Sequence, residues 1–548
     1  MDQNRRFVSI ALVMGLLGLP GFTEVTAQEQ SACEALMETR NLTFTMARLI
    51  TSDSGPPYCY VKGIIPPNIS YHVQLPLPRN WNGRFLSWGD GGKDGDLDFA
   101  DHRVAQGYAV ANSNMGHDSG SEPMASFGFN NRQSEIDFSY RAVHLTVNAA
   151  KTVIKAYYGR EPEYSYHEGC STGGREGLME AQRFPYEFDG IVAGAPVNFY
   201  QEANTGILWQ LHKIILNNFG GNLAFDTNGD GTFDSLRKLE ILAETVQERC
   251  DSNDGIQDGV INNPLACDFD PDRDLTQLMC QGDINADDCF TKAQLQTIKD
   301  LYSGPYDSKG VSIYKGLSPG SELQWARGII AWADNSNAPA FLNNTGTHFN
   351  YLFYEKDPGV HPPQMHDVTY VLDKTAPIPE WAWWEFDFDD YTAGKGDFMK
   401  SLTNSDDPDM TRFLIKNGGK LILYHGWADA MVHPEPVYDY YKDVIATTFR
   451  GNLKAAKDSV RLFMVPGMGH CQGGPGPNSW DKLSALVDWV EKGKAPDYLV
   501  ATHSSDEVVD NERKLCAYPE IAAYTGPAGG ENDPANWVES NFECRKPL

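Results

Sequence analysis

The segment Gly169-Cys-Ser-Thr-Gly173 constrains the fold of this chain more than any other part of its sequence. A short apolar stretch, Tyr164–Tyr166, precedes it and predicts a strand, while the residues from Gly174 to about Phe184 follow a helical pattern. A serine between glycines at such a junction requires a tight, strained turn, where flanking side chains would clash. This context predicts that the hydroxyl of Ser171 projects from the edge of a sheet, beside helical N–H groups that can stabilise a developing oxyanion.

Strand and helix patterns alternate through the first third of the chain. A helix is predicted over residues 136–158, where apolar residues recur on one helical face and Gly159 follows as a stop. Short strands are predicted on either side of it, at Phe85–Trp88, Tyr108–Asn112 and Ile191–Ala195. Strand, helix and strand in this order predict a mostly parallel sheet covered by helices, and hence an α/β fold.

The alternation stops at about residue 200 and returns near the C-terminus. Residues 226–290 are rich in Asp, Asn, Gly and Cys, and residues 320–390 are rich in Trp, Tyr and Phe. Strands are predicted again at Lys420–Tyr424 and Val460–Val465. Because a chain of 548 residues is long for a single core, we predict one α/β domain interrupted by a large insertion.

Two loops that follow these later strands carry an acidic residue and a histidine. The apolar run Leu421–Tyr424 leads to Asp429, and the strand that ends at Val465 leads through glycines to His470. Together with Ser171 they give the order Ser, Asp, His, which is the chain order of the α/β-hydrolase triad. In this arrangement His470 accepts the proton of Ser171, while Asp429 orients the imidazole and stabilises its charged form. Three other histidines could compete for this role and are interpreted as structural: His144, His167 and His425.

The N-terminus has the pattern of a signal peptide. Arg5 and Arg6 precede the apolar run Phe7–Leu19, and Val25-Thr-Ala27 offers small residues for a signal peptidase. The run is short for a membrane span, although a membrane anchor is the alternative interpretation. We therefore predict that residues 1–27 are removed and that the mature protein is secreted or periplasmic.

Ten cysteines fit an exported chain, because an oxidising compartment preserves disulfides. Neighbouring cysteines suggest four local pairs, although the sequence alone leaves the connectivity open: Cys33–Cys59, Cys250–Cys267, Cys280–Cys289 and Cys516–Cys544. The other two, Cys170 and Cys471, directly adjoin the candidate serine and histidine, so a disulfide between them would tie the two loops together if the triad forms. Such a bond would contribute on the order of 5 kcal/mol through loop closure. The competing interpretation is that Cys170 itself is the nucleophile. We disfavour it, because an exported cysteine with a second cysteine so close to it should be oxidised.

Charge and motif content exclude several classes of function. The formal net charge is −29 without a strong basic run, which argues against nucleic-acid binding. After removal of the signal segment no apolar stretch of membrane length remains. A nucleotide-binding glycine motif in a suitable context and an H-E-x-x-H motif are both absent from the sequence, so we expect neither an organic cofactor nor a metal-dependent hydrolase. A calcium-dependent binding protein that has lost turnover is a further alternative, but every triad residue is present.

These motifs resemble the tannase and feruloyl esterase family over nearly all of the mature chain. The resemblance is carried by Gly169–Gly177, Phe184-Pro185, Asp189–Pro196, Leu423–Gly426 and Val465–Cys471. It implies an α/β-hydrolase fold with a large inserted lid, in which residues 28–200 and 411–548 form the catalytic domain and residues 201–410 the lid. It also implies a serine esterase that acts on a small aromatic ester, with an oxyanion hole formed by the backbone N–H groups of Gly92 and Thr172. The oligomeric state is left open.

The same resemblance implies a structural calcium ion in the lid. Its loop runs from Cys250 to Val260, where spaced acidic residues and glycines suit a hard cation with oxygen ligands. Three side chains would supply carboxylates and two residues backbone carbonyls: Asp251, Asp254 and Asp258, and Ile256 and Val260.

A second acidic loop, Asp226–Asp234, is similar to an EF-hand loop. Arg237, however, stands where such a loop has a bidentate glutamate. A second calcium site and a plain turn rich in Asp and Asn are therefore both open interpretations of this loop.

The lid segment has an unusual aromatic content, which suits an aromatic acyl group, although such rings also serve as core. The tryptophans considered for this role are Trp325, Trp332, Trp381, Trp383 and Trp384. The resemblance implies that Trp332 covers the aromatic ring of the substrate. Family members that cleave a terephthalate monoester use a lid arginine to pair with its free carboxylate, and the matching stretch here, Asn343–His348, has none. We therefore expect a neutral phenolic ester, such as a ferulate or gallate ester, rather than an anionic terephthalate monoester.

Overall fold

The computed structural model describes residues 25–52, 55–333, 339–355 and 383–547. Most of the predicted signal peptide and Trp381 lie outside these described residues. Among the helices within the described ranges, none is long and apolar enough to cross a membrane.

Nine strands of the described chain form one mixed sheet. They are β1 (Thr43–Ser52), β2 (Gly55–Ile65), β3 (Ile69–Pro76), β4 (Arg84–Trp88), β5 (Ala109–Ser113), β6 (Tyr164–Cys170), β7 (Gly190–Gly194), β8 (Lys420–Gly426) and β9 (Val460–Val465). Their order across the sheet is β1-β2-β3-β5-β4-β6-β7-β8-β9. The strands from β5 to β9 in this order are parallel to one another, whereas β1, β2 and β3 add an antiparallel extension. The α/β fold predicted from the sequence is confirmed.

Helices cover both faces of this sheet and build the segment between β7 and β8. The α-helices are α1 (Ala27–Glu34), α2 (Asp101–Ala105), α3 (Arg132–Ile136), α4 (Ala142–Tyr158), α5 (Thr172–Arg183), α6 (Tyr200–Ile215), α7 (Arg237–Cys250), α8 (Pro271–Asp274), α9 (Lys292–Ser303), α10 (Leu342–Thr347), α11 (Phe388–Thr392), α12 (Asp397–Thr403), α13 (Pro434–Thr448), α14 (Leu453–Lys457) and α15 (Lys482–Lys492). The helix predicted over residues 136–158 begins instead with a π-helical turn, Asp137–Arg141, which leads into α4.

Side chains of the central strands alternate between two hydrophobic clusters, one on each face of the sheet. Ile191 packs with α4, α5 and α13 on one face, whereas its neighbour Val192 packs with α15 on the other. Successive side chains of a strand point to opposite faces of the sheet, so apolar residues at successive positions are typical of a strand that is buried on both faces. Both faces are therefore closed to solvent, which leaves the ends of the strands as the place for a site.

The segment between β7 and β8 has a hydrophobic core of its own. These two strands are adjacent and parallel, although more than 200 residues separate them in sequence. Within this segment Ile298, Trp325 and Trp383 are fully buried in one cluster that extends from Ile207 to Ala430. The segment coincides with the insertion predicted as a lid, and the proposed boundaries at residues 201 and 410 stay predictions.

The C-terminal segment adds two small antiparallel hairpins for which the sequence analysis made no prediction. They are β10 (Tyr498–Ser505) with β11 (Val508–Cys516), and β12 (Ile521–Tyr524) with β13 (Phe542–Arg545). The disulfide between Cys516 and Cys544 joins the two hairpins. This segment also carries Arg513, which reaches the predicted calcium loop.

Three glycines bring the backbones of β6, α5 and the loop after β4 into direct contact. A Cβ atom on Gly173 would lie 2.8 Å from the carbonyl carbon of Gly89, and one on Gly169 would lie 2.5 Å from the carbonyl oxygen of Gly173. Real Cβ atoms do not approach backbone atoms so closely. The glycines are therefore required by packing at this junction.

We expect Gly173→Ala to lower the free energy of unfolding by roughly 1–3 kcal/mol, because the added methyl group overlaps rigid backbone. Denaturant unfolding would measure this change. Gly55→Ala is the matched control, since an added Cβ there would meet no described atom within 4 Å. Equal stability of the two variants would contradict the proposed close packing.

Candidate active site

Ser171 occupies the turn between β6 and α5 in a left-handed backbone conformation, with φ 62° and ψ −121°. Such a conformation costs a non-glycine residue roughly 1–3 kcal/mol unless its surroundings enforce it. Here the N–H of Ser171 donates to the carbonyl of Gly194 at 2.9 Å, and the N–H of Arg175 donates to the carbonyl of Ser171 at 3.0 Å. The neighbouring strand β7 and the first turn of α5 therefore hold the turn in place.

Asp429 and His470 meet at the ends of β8 and β9. The Nδ1 atom of His470 lies 2.7 Å from Oδ2 of Asp429. The other carboxylate oxygen of Asp429 accepts from the N–H groups of Met431 and Val432, each at 2.9 Å. His425, four residues before Asp429, places Nε2 3.1 Å from Oδ2 of Asp429. The carboxylate is thereby fixed from three directions.

Electrostatics keep the buried Asp429 carboxyl ionised. Burial alone would raise its pKa, but the charge of His470 and the hydrogen bonds from His425 and His470 lower the pKa well below its usual value. A carboxylate that stays charged at neutral pH suits the stabilisation of an imidazolium.

Ser171 and His470 line one cavity of about 400 Å³ at this end of the sheet. Its walls come from the loop after β4, from the start of α5, from α6, and from α10 and its preceding residues in the lid segment. Apolar side chains dominate it, including Val197, Ile207 and Phe341. The cavity has the size and lining of a small-molecule site.

Gly92 and Thr172 both line this cavity. Gly92 has a positive φ of 53°, and Thr172 is the first residue of α5. The hydroxyl of Thr172 donates to the carbonyl of Gly92 at 2.8 Å. This bond fixes the loop after β4 against the helix N-terminus, where N–H groups lack partners within the helix.

Five disulfides are present, and their partners are those suggested by the sequence. The bond between Cys170 and Cys471 has an S–S distance of 2.05 Å and spans 301 residues. Because Cys170 precedes Ser171 and Cys471 follows His470, the bond joins the two loops that carry these side chains. Among the described residues no cysteine is free, so Cys170 does not offer a thiolate.

Comparison with known proteins agrees with this arrangement of fold and site. A family model described as tannase and feruloyl esterase matches residues 59–538. The chain belongs to the tannase and feruloyl esterase family. It is therefore a carboxylic ester hydrolase, and the family predicted from the sequence is confirmed.

Individual relatives of this esterase cover most of its length. It is 32% identical over 543 residues to the mono(2-hydroxyethyl) terephthalate hydrolase of Piscinibacter sakaiensis, covering 90% of this chain and 85% of the relative. It is 30% identical over 481 residues to feruloyl esterase B of Aspergillus niger, and the match covers 84% of this chain and 82% of the relative. The crystal structure of feruloyl esterase B from Aspergillus oryzae matches with a TM-score of 0.75 and 25% identity, over 94% of this chain and 100% of that one.

The predicted calcium loop of the esterase contains buried carboxylate oxygens without hydrogen-bond partners, one of which, Oδ2 of Asp254, lies 3.8 Å from Nη1 of Arg513. Oδ1 of Asp251 and Oδ2 of Asp254 are buried and accept no hydrogen bond. Burial raises the pKa of Asp254 to about 7 and that of Asp251 to about 6. Asp258 instead accepts from the buried guanidinium of Arg513 at 2.5 Å. Two unsatisfied carboxylate oxygens in one loop fit a cation, since buried polar atoms otherwise find partners.

The second acidic loop has its carboxylates engaged by its own backbone. Both oxygens of Asp226 accept from N–H groups, at 2.6 Å from Gly229 and 2.8 Å from Gly231. Asp234 accepts from the N–H and the hydroxyl of Thr227. Arg237 pairs with Glu240 and Glu244 on α7. This geometry is typical of turns rich in Asp and Asn, and a second calcium there stays a prediction.

Two of the histidines considered as alternatives to His470 make contacts that fit a structural role. Nε2 of His167 lies 2.8 Å from the carbonyl of Gly173, and burial lowers the pKa of His167 to about 4. His144 stacks on Phe184 and places Nδ1 2.8 Å from Glu187. The third, His425, contacts Asp429 and therefore positions the candidate triad.

Trp332 packs against the hydrophobic core of the lid segment and donates from Nε1 to the carbonyl of Ala326 at 3.1 Å. Among the described residues that line the cavity, Phe341 is present and Trp332 is not. Its role as a substrate contact stays a prediction. Trp325 and Trp383 are core residues, at 0% and 1% exposure.

The cavity also contains polar residues that the sequence analysis did not single out, among them Lys93, Tyr200, Asn204 and Asn344. Lys93 directly follows Gly92, and this position next to a predicted oxyanion-hole residue could have identified it from the sequence as a residue of the site. The other three lie on α6 and α10, whose approach to the sheet depends on the packing of the lid segment.

Replacing Cys170 and Cys471 by alanine together should lower the free energy of unfolding by on the order of 5 kcal/mol. It should also lower kcat, because the two loops lose their covalent link. Denaturant unfolding and initial rates on a methyl ester would measure both effects. The control pair is Cys280→Ala with Cys289→Ala, which opens a bond spanning 9 residues in the lid segment and should leave kcat unchanged. Wild-type kcat in the first variant would show that the bond does not hold the site together.

Proposed function

We propose that this esterase hydrolyses aromatic carboxylic esters through an acyl-enzyme on Ser171, with His470 as the general base and Asp429 as its orienting carboxylate. The observation that carries the proposal is the convergence of Ser171 and His470 on one cavity, with Asp429 2.7 Å behind the imidazole. The strained turn at Ser171 and the disulfide next to both residues support it further.

In the first step Ser171 Oγ attacks the ester carbonyl while Nε2 of His470 takes its proton. The tetrahedral oxyanion accepts from the backbone N–H groups of Gly92 and Thr172, each worth roughly 3–4 kcal/mol in the transition state. His470 then gives the proton to the leaving alcohol. A water molecule attacks the acyl-enzyme with His470 as base, which releases the acid and restores Ser171.

An aromatic acyl group is favoured by the shape and lining of the cavity. Tyr200 and Phe341 contribute aromatic side chains to its lining, and Val197, Ile207 and Val432 contribute apolar ones. A volume of about 400 Å³ accommodates one substituted ring. The two relatives named above are esterases whose names specify a feruloyl ester and a terephthalate monoester.

We further propose that the mature esterase is exported and that the loop from Asp251 to Val260 binds a structural Ca²⁺. Five disulfides and the N-terminal signal pattern support export. For the ion, carboxylates of Asp251 and Asp254 and the backbone carbonyls of Ile256 and Val260 would be ligands. Asp258 would contribute Oδ1, because its Oδ2 accepts from Arg513. When bound, the ion would neutralise acidic groups beneath the C-terminal hairpins, and the triad would take no part in its binding.

Ser171→Ala should reduce kcat by roughly 10⁴-fold or more on every ester that the wild type cleaves, because nucleophilic attack is lost. Initial rates on methyl ferulate, methyl gallate and a short aliphatic ester would measure the effect and the acyl preference. Ser484→Ala, at an exposed position on α15, is the matched control. Full activity in Ser171→Ala would refute the assigned nucleophile, and a preference for the aliphatic ester would refute the aromatic assignment.

Chelation of Ca²⁺ by EDTA should lower the thermal unfolding temperature of the wild type, and added Ca²⁺ should restore it. An ion present at 100 times its Kd stabilises the folded state by roughly 2.7 kcal/mol. Asp254→Asn should unfold at a lower temperature and lose the response to EDTA. Asp230→Asn in the second acidic loop is the control and should retain the response. An unchanged unfolding temperature of wild type on chelation would argue against the ion.

A further inference from the structure

Lys93 is a buried cation in the wall of the catalytic cavity. Its side chain is 4% exposed, and it extends from the loop after β4 to the two helices on the opposite wall. Nζ donates to Oδ1 of Asn344 on α10 at 2.7 Å and lies 3.5 Å from Oδ1 of Asn204 on α6. It also lies 5.5 Å from the centre of the Tyr200 ring. Lysine is almost never buried in this way without a charged partner.

Within the described residues Lys93 has no acidic partner. The residues of the catalytic cavity that the structure describes include no aspartate or glutamate, and the contacts of Nζ are amide oxygens and a ring. Amide oxygens solvate an ammonium group but do not neutralise its charge. Burial and the nearby Arg175 lower the pKa of Lys93 to about 7, which is the response of an ammonium group that lacks an anion.

A second buried cation reinforces this positive region. Arg175 is fully buried and donates to the backbone carbonyls of Phe138, Ser139 and Thr403. Its guanidinium lies 5.2 Å from the centre of the Tyr200 ring, on which Lys93 also converges. The inner wall of the cavity therefore carries positive charge in a protein whose formal net charge is −29. Salt screens the distant surface charges beyond roughly 8–10 Å, so at Lys93 the charge that acts most strongly is that of the nearby Arg175.

We propose that Lys93 binds an anionic group of the substrate, and that the esterase therefore prefers aromatic esters whose ring carries a second, ionised carboxyl group. This inference rests on the function proposed above and specifies its substrate class. A carboxylate would supply a counter-ion through a charge-assisted hydrogen bond. A buried charge without its partner is costly, so the site favours a substrate that brings that anion with it.

This proposal is the alternative to the neutral phenolic ester that we expect from the sequence. That expectation depended on the stretch Asn343–His348, which has no arginine. The stretch does reach the cavity, but through Asn344, whose carbonyl oxygen accepts from Lys93. The positive charge is thus supplied from the opposite wall, by the residue that follows Gly92 in the predicted oxyanion loop.

Two substrates that differ only in charge test the inference: monomethyl terephthalate and methyl 4-carbamoylbenzoate, which has a neutral carboxamide in place of the carboxylate. The measured quantity is the ratio of their kcat/KM values. The wild type should favour the monoester. In Lys93→Met the ratio should fall roughly 30-fold or more, mainly through KM, and in Lys93→Arg, which keeps the charge, most of the ratio should return. Equal losses on both substrates, or an unchanged ratio, would overturn the role of Lys93.

Product inhibition of the wild type gives a readout that does not depend on the folding of a variant. Terephthalate should inhibit hydrolysis of methyl 4-carbamoylbenzoate at least tenfold more strongly than 4-carbamoylbenzoate does, and equal inhibition would overturn the inference. Ser171→Ala is assayed in parallel. If Ser171→Ala abolishes hydrolysis but Lys93→Met leaves the ratio of the two kcat/KM values unchanged, the serine mechanism is supported and the proposed substrate class is wrong. If it leaves hydrolysis intact, the proposed function itself is wrong.

Discussion

The backbone contact between Gly169 and Gly173 determines the geometry of the whole catalytic end of the molecule. It allows β6 to turn directly into α5, so that Ser171 occupies a left-handed conformation that no free peptide would hold. Gly89 packs into the same junction and brings the loop after β4 beside the helix N-terminus. A larger residue at any of these positions would separate the serine from the loop that faces it. The cavity, its two candidate oxyanion donors and Lys93 all depend on this close approach.

The parallel part of the sheet could be predicted because its signals are local. Each strand from β4 to β9 contains a short group of apolar or aromatic residues, and the turn at Ser171 and the loops at Asp429 and His470 follow three of these strands. The antiparallel strands were not predicted. β2 contains Pro56 and Pro57, which are depleted from strands, and their neighbours on β1 mix polar and apolar residues. The start of α4 was missed because the 3.6-residue period does not distinguish a π-helical turn from an α-helix.

The three candidate triad residues could be named from the sequence, whereas the surroundings of Lys93 could not be predicted. Ser171, Asp429 and His470 occur in short motifs whose chemistry is recognisable without a structure. The environment of Lys93 is made by Asn204 and Asn344, which are 111 and 251 residues away in sequence. Whether that lysine is exposed or buried depends on how the inserted segment packs over the sheet. A local sequence pattern has no information about such contacts, and so the sequence analysis did not consider Lys93 as a residue that recognises charge.

The disulfide between Cys170 and Cys471 has a topological consequence beyond fixing two loops. It spans 301 residues, so the intervening chain, including the entire inserted segment, forms a closed covalent ring. A protease that cuts this ring once, at any exposed turn of the insertion, opens it without releasing a fragment. Ser171 and His470 stay on one covalently connected molecule, because the bond joins the cysteines directly beside them. For the exported esterase proposed above, a single cut in the inserted segment would therefore not separate Ser171 from His470.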